Sequence, residues 1–185
     1  MTLVMASLLN NIWYFGIHSD ALKAGTLLHR QICNEPVVFG RTVSGRPFAL
    51  RDICPHRGIP LSNGIMKGEE LECWYHGWRF STDGICKAIP ALVSEDPVDL
   101  SKITVQTYQI HEEQGLIWLW LGDKENIKIP APRIPIVGNI HPKIVHELEF
   151  PVNIDHAVVG LIDPAHTPHV HESWFWRRPH ERTDK

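Results

Sequence analysis

Apolar residues along this chain fall in short runs separated by glycine-containing turns, which predicts brief strands joined as hairpins. Residues 37–43 and 46–52 read as two strands across a Ser44-Gly45 turn. Residues 78–80 and 85–87 flank Ser81-Thr82-Asp83-Gly84, and residues 105–112 and 116–121 flank Glu113-Gln114-Gly115. These read as two further hairpins. Trp118 and Trp120 alternate on the last strand and are expected in the core or on a sheet face. Short strands with such turns predict a mainly β, antiparallel domain. Loops held between them are where function usually lies.

The stretch Ile129-Pro130-Ala131-Pro132-Arg133-Ile134-Pro135 cannot form a helix and reads as the edge of that domain. The expected organisation is an N-terminal lead-in with first strands over 1–34, a β domain over 35–130, and the start of another domain over 131–185. The apolar run at 1–9 is too short for a secretory signal, and the run at 116–121 is far too short to span a membrane.

Composition narrows the reading. A length of 185 residues suffices for one compact domain plus part of another. A net charge of −3, without a Lys/Arg run, argues against nucleic acid as a main partner. Of the 12 histidines, seven lie between His141 and His180, which suits metal chemistry. Cys33 and Cys86 fall in strand-like stretches and read as ordinary half-buried thiols, so a reducing, cytoplasmic setting is expected.

The remaining cysteines sit in Cys54-Pro55-His56-Arg57 and Cys73-Trp74-Tyr75-His76. Two thiolates and two imidazoles are the ligand set of a Rieske [2Fe–2S] cluster. Neutral imidazoles leave its formal charge near zero, so it accepts an electron more readily than an all-Cys cluster. Gly58, Pro60, Gly64 and Gly77 suit tight loops around such a cluster. Zinc is the rival, since Cys₂His₂ also binds it, but zinc fingers place both Cys before both His, whereas this chain alternates them. A zinc module would be colourless, a Rieske protein red-brown. The blandest alternative is four unrelated buried residues.

The words Cys-Pro-His-Arg-Gly-Ile-Pro-Leu-Ser-Asn-Gly and Cys-Trp-Tyr-His-Gly-Trp-Arg-Phe closely resemble the Rieske domain of aromatic ring-hydroxylating oxygenase large (alpha) subunits. The resemblance runs from about Trp13 to His171. It implies an antiparallel Rieske β domain with two cluster-binding loops, followed by the truncated start of an α+β catalytic domain. It implies that Cys54 and Cys73 bind one iron and His56 and His76 the other, with Arg57, Tyr75 and Trp78 as neighbours. Ile59 and Tyr75 stand near the places where respiratory Rieske proteins carry extra cysteines, which marks the oxygenase and ferredoxin type.

A second word, Asp163-Pro164-Ala165-His166-Thr167-Pro168-His169-Val170-His171, resembles the segment that begins the family's mononuclear iron site. The resemblance implies His166 and His171 as imidazole ligands of Fe(II) and Asp163 as the acid bridging cluster and iron. His169 competes by spacing with His171. The family's third ligand, an Asp, lies beyond Lys185, so the site is incomplete in this chain. The implied partners are an NAD(P)H-dependent reductase, directly or through a ferredoxin, an aromatic small-molecule substrate, and like subunits in a homotrimer. The expected function is electron delivery to an iron that activates O₂ for ring hydroxylation or demethylation, with turnover by this chain alone left open. The alternatives are a stand-alone Rieske electron carrier and one piece of a split gene. The tail Trp174-Phe175-Trp176-Arg177-Arg178-Pro179 reads as core left uncovered where the sequence stops.

Overall fold

Runs that are apolar on both faces place the central strands between two cores. The computed structural model describes residues 10–93, 98–135 and 148–170, and the chain divides after Pro135 into two compact units. In the first unit, β1 (Ile12–His18), β11 (Leu116–Leu121) and β10 (Ile110–Glu113) form one antiparallel sheet in the order β1-β11-β10. A second sheet has the order β2 (Leu27–Ile32), β3 (Glu35–Arg41), β4 (Pro47–Arg51), β9 (Thr107–Tyr108). The third runs β5 (Ile65–Lys67), β6 (Glu70–Glu72), β7 (Arg79–Ser81), β8 (Cys86–Ala88).

The second sheet feeds both cores, because successive side chains on a strand point to opposite faces. Val37, Phe39 and Ala49 join Ile17, Ile117 and Leu119 in one core. Val38, Phe48 and Leu50 join Leu61, Leu71, Phe80, Cys54 and Cys73 in the other. This explains why Val37-Val38-Phe39 and Phe48-Ala49-Leu50 are unbroken apolar runs. It also puts two candidate ligand thiols at the edge of a hydrophobic core.

The three predicted hairpins are present, with one change. The single strand expected over 105–112 is broken at Gln109: β9 pairs with β4, whereas β10 pairs with β11. Just upstream, Thr104 forms an isolated bridge with Ile85, and Ile103 O accepts the N–H of Cys86 on β8 at 2.9 Å, so this segment touches all three sheets in turn. Trp120 is buried and Trp118 half-buried, as expected of core and sheet-face residues.

Cys33 is not on a strand. With Asn34 it forms the two-residue turn between β2 and β3, both residues at positive φ (51° and 65°). Such a turn matches the right-handed twist of the flanking strands.

The second unit holds α1 (Ile154–Ile162) and α2 (Thr167–Val170). Asn153 caps α1 by accepting a hydrogen bond from the Asp155 N–H at 3.0 Å. Among the described residues, no helix is long and apolar enough to cross a membrane.

Candidate metal centre

Two loops of matching backbone design carry the four candidate ligands. In the first, the Cys54 N–H donates to Ile59 O and the Gly58 N–H to Cys54 O, both at 2.8 Å. In the second, the Cys73 N–H donates to Trp78 O at 2.8 Å and the Gly77 N–H to Cys73 O at 2.9 Å. The offsets from the cysteine are identical, and Gly58 and Gly77 both have φ of 70°. That left-handed conformation costs glycine nothing and other residues about 1–2 kcal/mol. The loops differ in where the imidazole sits, two residues after Cys54 but three after Cys73.

The matched loops bring like donors together. Cys54 and Cys73 are each 2% exposed and their side chains interact. Burial pushes the Cys54 thiol up to about 11, opposed by the His56 N–H, raised further by Cys73 and opposed also by the Arg57 N–H. Amides aimed at sulfur suit a thiolate, the form that binds metal. The rings of His56 and His76 lie 4.6 Å apart, centroid to centroid. Burial, then the charges of His76 and Arg57, lowers the His56 pKa, which favours the neutral imidazole a ligand needs.

Among the described residues, no three His, Cys, Asp or Glu side chains converge to hold one metal ion. The donors come as a pair of thiols and a pair of imidazoles. A single zinc needs three or four protein ligands at one point, whereas each iron of a Rieske cluster takes two. The donor set therefore fits the cluster better than zinc.

Aromatic rings surround the imidazoles. Trp78 stacks on His56, and the Tyr75 ring is 4.0 Å from that of His76. Trp74, Tyr75 and Arg57 are exposed. The side of Gly64 lies against β6, where a Cβ would come within 2.3 Å of Glu72 O. The end of the first loop region thus abuts the residue just before Cys73.

One neighbour of the candidate ligands carries no motif in the sequence. The buried Asp52 carboxylate accepts the Ser62 N–H and Ser62 O–H, both at 2.7 Å, and lies 2.7 Å from His29 Nδ1. Its place two residues before Cys54 is the only trace of this role in the sequence. A cavity of about 300 Å³ lined by Cys33, Glu35, Tyr108 and Lys124 includes none of the candidate ligand residues.

In the second unit Asp163 caps the end of α1 and accepts the Ala165 N–H at 2.8 Å. His166 Nδ1 lies 3.7 Å from Asp163 Oδ2, an ion-pair distance rather than a hydrogen bond. His169 is exposed on α2, and its N–H donates to His166 O. His171 and the aromatic tail at 174–179 lie outside the described residues.

This three-sheet β domain, with paired Cys/His loops at its edge, defines an iron–sulfur electron-transfer module of the Rieske type. The Rieske [2Fe–2S] domain model matches residues 12–109, and the chain belongs to that family. The chain is 33% identical over 170 residues to chlorophyllide a oxygenase of Arabidopsis thaliana, covering 90% of this chain and 30% of the relative. It is 34% identical over 179 residues to the vanillate O-demethylase oxygenase subunit of Pseudomonas sp. strain HR199, covering 88% of this chain and 45% of the relative. Among solved structures, dicamba monooxygenase superposes with a TM-score of 0.59 at 35% identity, covering 65% of this chain and 37% of that one. The chain thus spans less than half the length of these relatives and corresponds to their N-terminal part.

Proposed function

We propose that this chain is the electron-transfer portion of a Rieske non-haem iron oxygenase large subunit. Cys54 and Cys73 hold one iron of the [2Fe–2S] cluster, and His56 and His76 hold the other. The observation that carries this reading is the pair of equivalent loops, which meet thiol to thiol and imidazole to imidazole. When bound, the cluster supplies reversible one-electron transfer. The chain's own residues shape its surroundings. The two thiols sit in the core and are shielded from water, whereas His76 is exposed and marks the electron's way out. Trp78 fixes the plane of His56, and the His56 and Arg57 amides stabilise charge on Cys54 sulfur.

The cluster belongs to the unit that ends at Pro135, and the residues that follow begin the catalytic domain. There, His166 and His171 are the imidazole ligands of Fe(II), and Asp163 orients His166. The proximity of Asp163 to His166 supports that role. Two imidazoles alone bind Fe(II) weakly, so a third ligand from the remainder of the protein completes the site. The full system takes electrons from an NAD(P)H-dependent reductase, directly or through a ferredoxin. It hydroxylates or demethylates an aromatic or similar apolar ring, with trimer-related subunits passing electrons from cluster to iron. With Cys54 and Cys73 on iron, Cys33 and Cys86 remain as thiols outside any disulfide, which suits a reducing compartment, and the cytoplasm is proposed on that ground.

The test is iron, zinc and acid-labile sulfide per chain in protein purified without oxygen. Iron equal to sulfide is expected from the cluster alone. Iron exceeding sulfide by half again shows the mononuclear site filled as well. Zinc without sulfide overturns the reading.

A further inference from the structure

The two ligand loops are closed at their bases by different devices. The second loop leaves β6 and enters β7, and the strand pair Glu72↔Arg79 holds its ends together. The first loop leaves β4 after Arg51 and runs into the 3₁₀ turn Leu61–Asn63, so no strand pair closes it. The Asp52 carboxylate stands in that place.

We propose that Asp52 is a positioning residue that holds the first ligand loop in its cluster-binding form before iron arrives. The proposal rests on the assignment of Cys54 and His56 as ligands. Asp52 is itself anchored in the second sheet, its N–H donating to Pro36 O at 2.8 Å. Its side chain has 0% exposure. One oxygen accepts the Ser62 N–H, and the other accepts the Ser62 hydroxyl and faces His29. Residues 53–61 are therefore a ring pinned at its two ends. Within it Cys54 and Gly58 make the backbone bonds that shape the loop.

A buried carboxylate is costly unless its lone pairs are satisfied, so this arrangement resists opening. Charge-assisted hydrogen bonds of this kind are also about twice as strong as neutral ones. Fixing the loop ends in advance removes closure entropy that ligand assembly would otherwise have to overcome. The half-exposed His29, from β2, meets the buried carboxylate and ties the clamp to a second strand.

The test uses the full chain, stripped of iron and reconstituted anaerobically with ferrous iron and sulfide. Visible absorption follows assembly, and electron paramagnetic resonance of the reduced protein reads the cluster's surroundings. Asp52→Asn and Ser62→Ala are expected to assemble at least threefold more slowly and to shift the g-values. Ser62→Thr, which keeps both donors, should restore the rate and the spectrum. Glu112→Gln, which removes an ion pair far from the loops in sequence, controls for general destabilisation and should assemble at the wild-type rate. Should Asp52→Asn fail to fold, Ser62→Ala decides. Folded clamp variants with wild-type rates and g-values would overturn the proposal, as would an equal slowing in Glu112→Gln. Wild-type protein that takes up no sulfide would instead refute the ligand assignment.

Discussion

The indole of Trp78 lies flat on the imidazole of His56, with centroids 4.5 Å apart and planes 4° from parallel. The two rings come from different loops, so the second loop braces the proposed ligand of the first. Trp78 is also the residue whose carbonyl accepts the Cys73 N–H, which ties its backbone to the opposite ligand. Removal of the ring should therefore loosen His56 without dismantling the second loop. An aromatic stack is worth about 1 kcal/mol beyond its buried area. Trp78→Ala should accordingly lose iron to a chelator about fivefold faster, while Trp78→Phe stays near wild type. Bleaching of the visible band over time measures both. Equal rates in all three proteins would remove the stack from the account.

The ligand set makes a sharper prediction. Cys73→Ser should abolish the visible absorption, whereas Cys33→Ala and Cys86→Ala should retain full iron and sulfide. Cys33 sits in a hairpin turn and Cys86 is buried on β8, so each has a structural place independent of the cluster. Loss of iron in either alanine variant would overturn the assignment.

How far the sequence alone reaches can be seen from particular residues. The pairing of residues 37–43 with 46–52 was legible because one apolar run serves two cores and Ser44-Gly45 marks the turn. The loops were legible because cysteine and histidine at those spacings have few other uses. The passage of residues 104–113 across three sheets was not, since nothing local at Gln109 signals that the neighbouring strand changes. Cys33 was misplaced for a related reason: cysteine is an unusual residue at positive φ, and its neighbour Asn34 carries the turn signal. Asp52, Ser62 and His29 were missed because three ordinary polar residues, spread over positions 29–62, show no kinship until the chain folds.

The approach of Gly64 to β6 yields a packing prediction. A methyl group there would meet Glu72 O at 2.3 Å and Leu61 O at 2.9 Å, both backbone atoms that cannot simply rotate away. Gly64→Ala should cost about 1–3 kcal/mol, as overpacking does. Because Glu72 precedes Cys73, the strain should also displace one ligand loop against the other and lower cluster content. Thermal melts and iron analysis check the two effects. A stable, fully loaded variant would show that the loops tolerate relative movement.

Arg41 and Glu112 predict a dependence on acid. The Arg41 guanidinium meets both carboxylate oxygens, at 2.6 and 3.1 Å, and also donates to Leu22 O and Gly45 O. The hydrogen bonds from Arg41 hold the Glu112 carboxyl below its ordinary value of 4.5. A carboxyl with a lowered folded-state pKa stabilises fully above the unfolded value and loses that contribution as pH falls through the folded one. Glu112→Gln should therefore be up to about 1 kcal/mol less stable at neutral pH, since solvent screens this exposed carboxylate. The difference should shrink below about pH 4.5, where wild type loses the same interaction. Denaturant melts across that range measure it, and a gap that stays constant into strong acid would disprove the linkage.

The proline-rich segment is strapped to the β domain, and that strap can be cut by one substitution. The Gln114 side-chain amide donates to Ile134 O at 2.9 Å and accepts the Ile134 N–H at 2.8 Å, as a strand neighbour would. Trp13 Nε1 donates to Ile129 O at 2.9 Å, and Arg133 lies 3.2 Å from Glu113. Gln114 has φ of 55°, so glycine at this position relieves turn strain while removing both side-chain bonds. Gln114→Gly should keep the β10–β11 hairpin and the cluster yet release Ile134. Two hydrogen bonds of about 1 kcal/mol each correspond to at least tenfold easier opening, and cleavage that depends on opening rises in proportion. Trypsin should then cut after Arg133 at least tenfold faster, with the visible spectrum unchanged. Cleavage at the wild-type rate would mean that Trp13 and Glu113 hold the segment without Gln114.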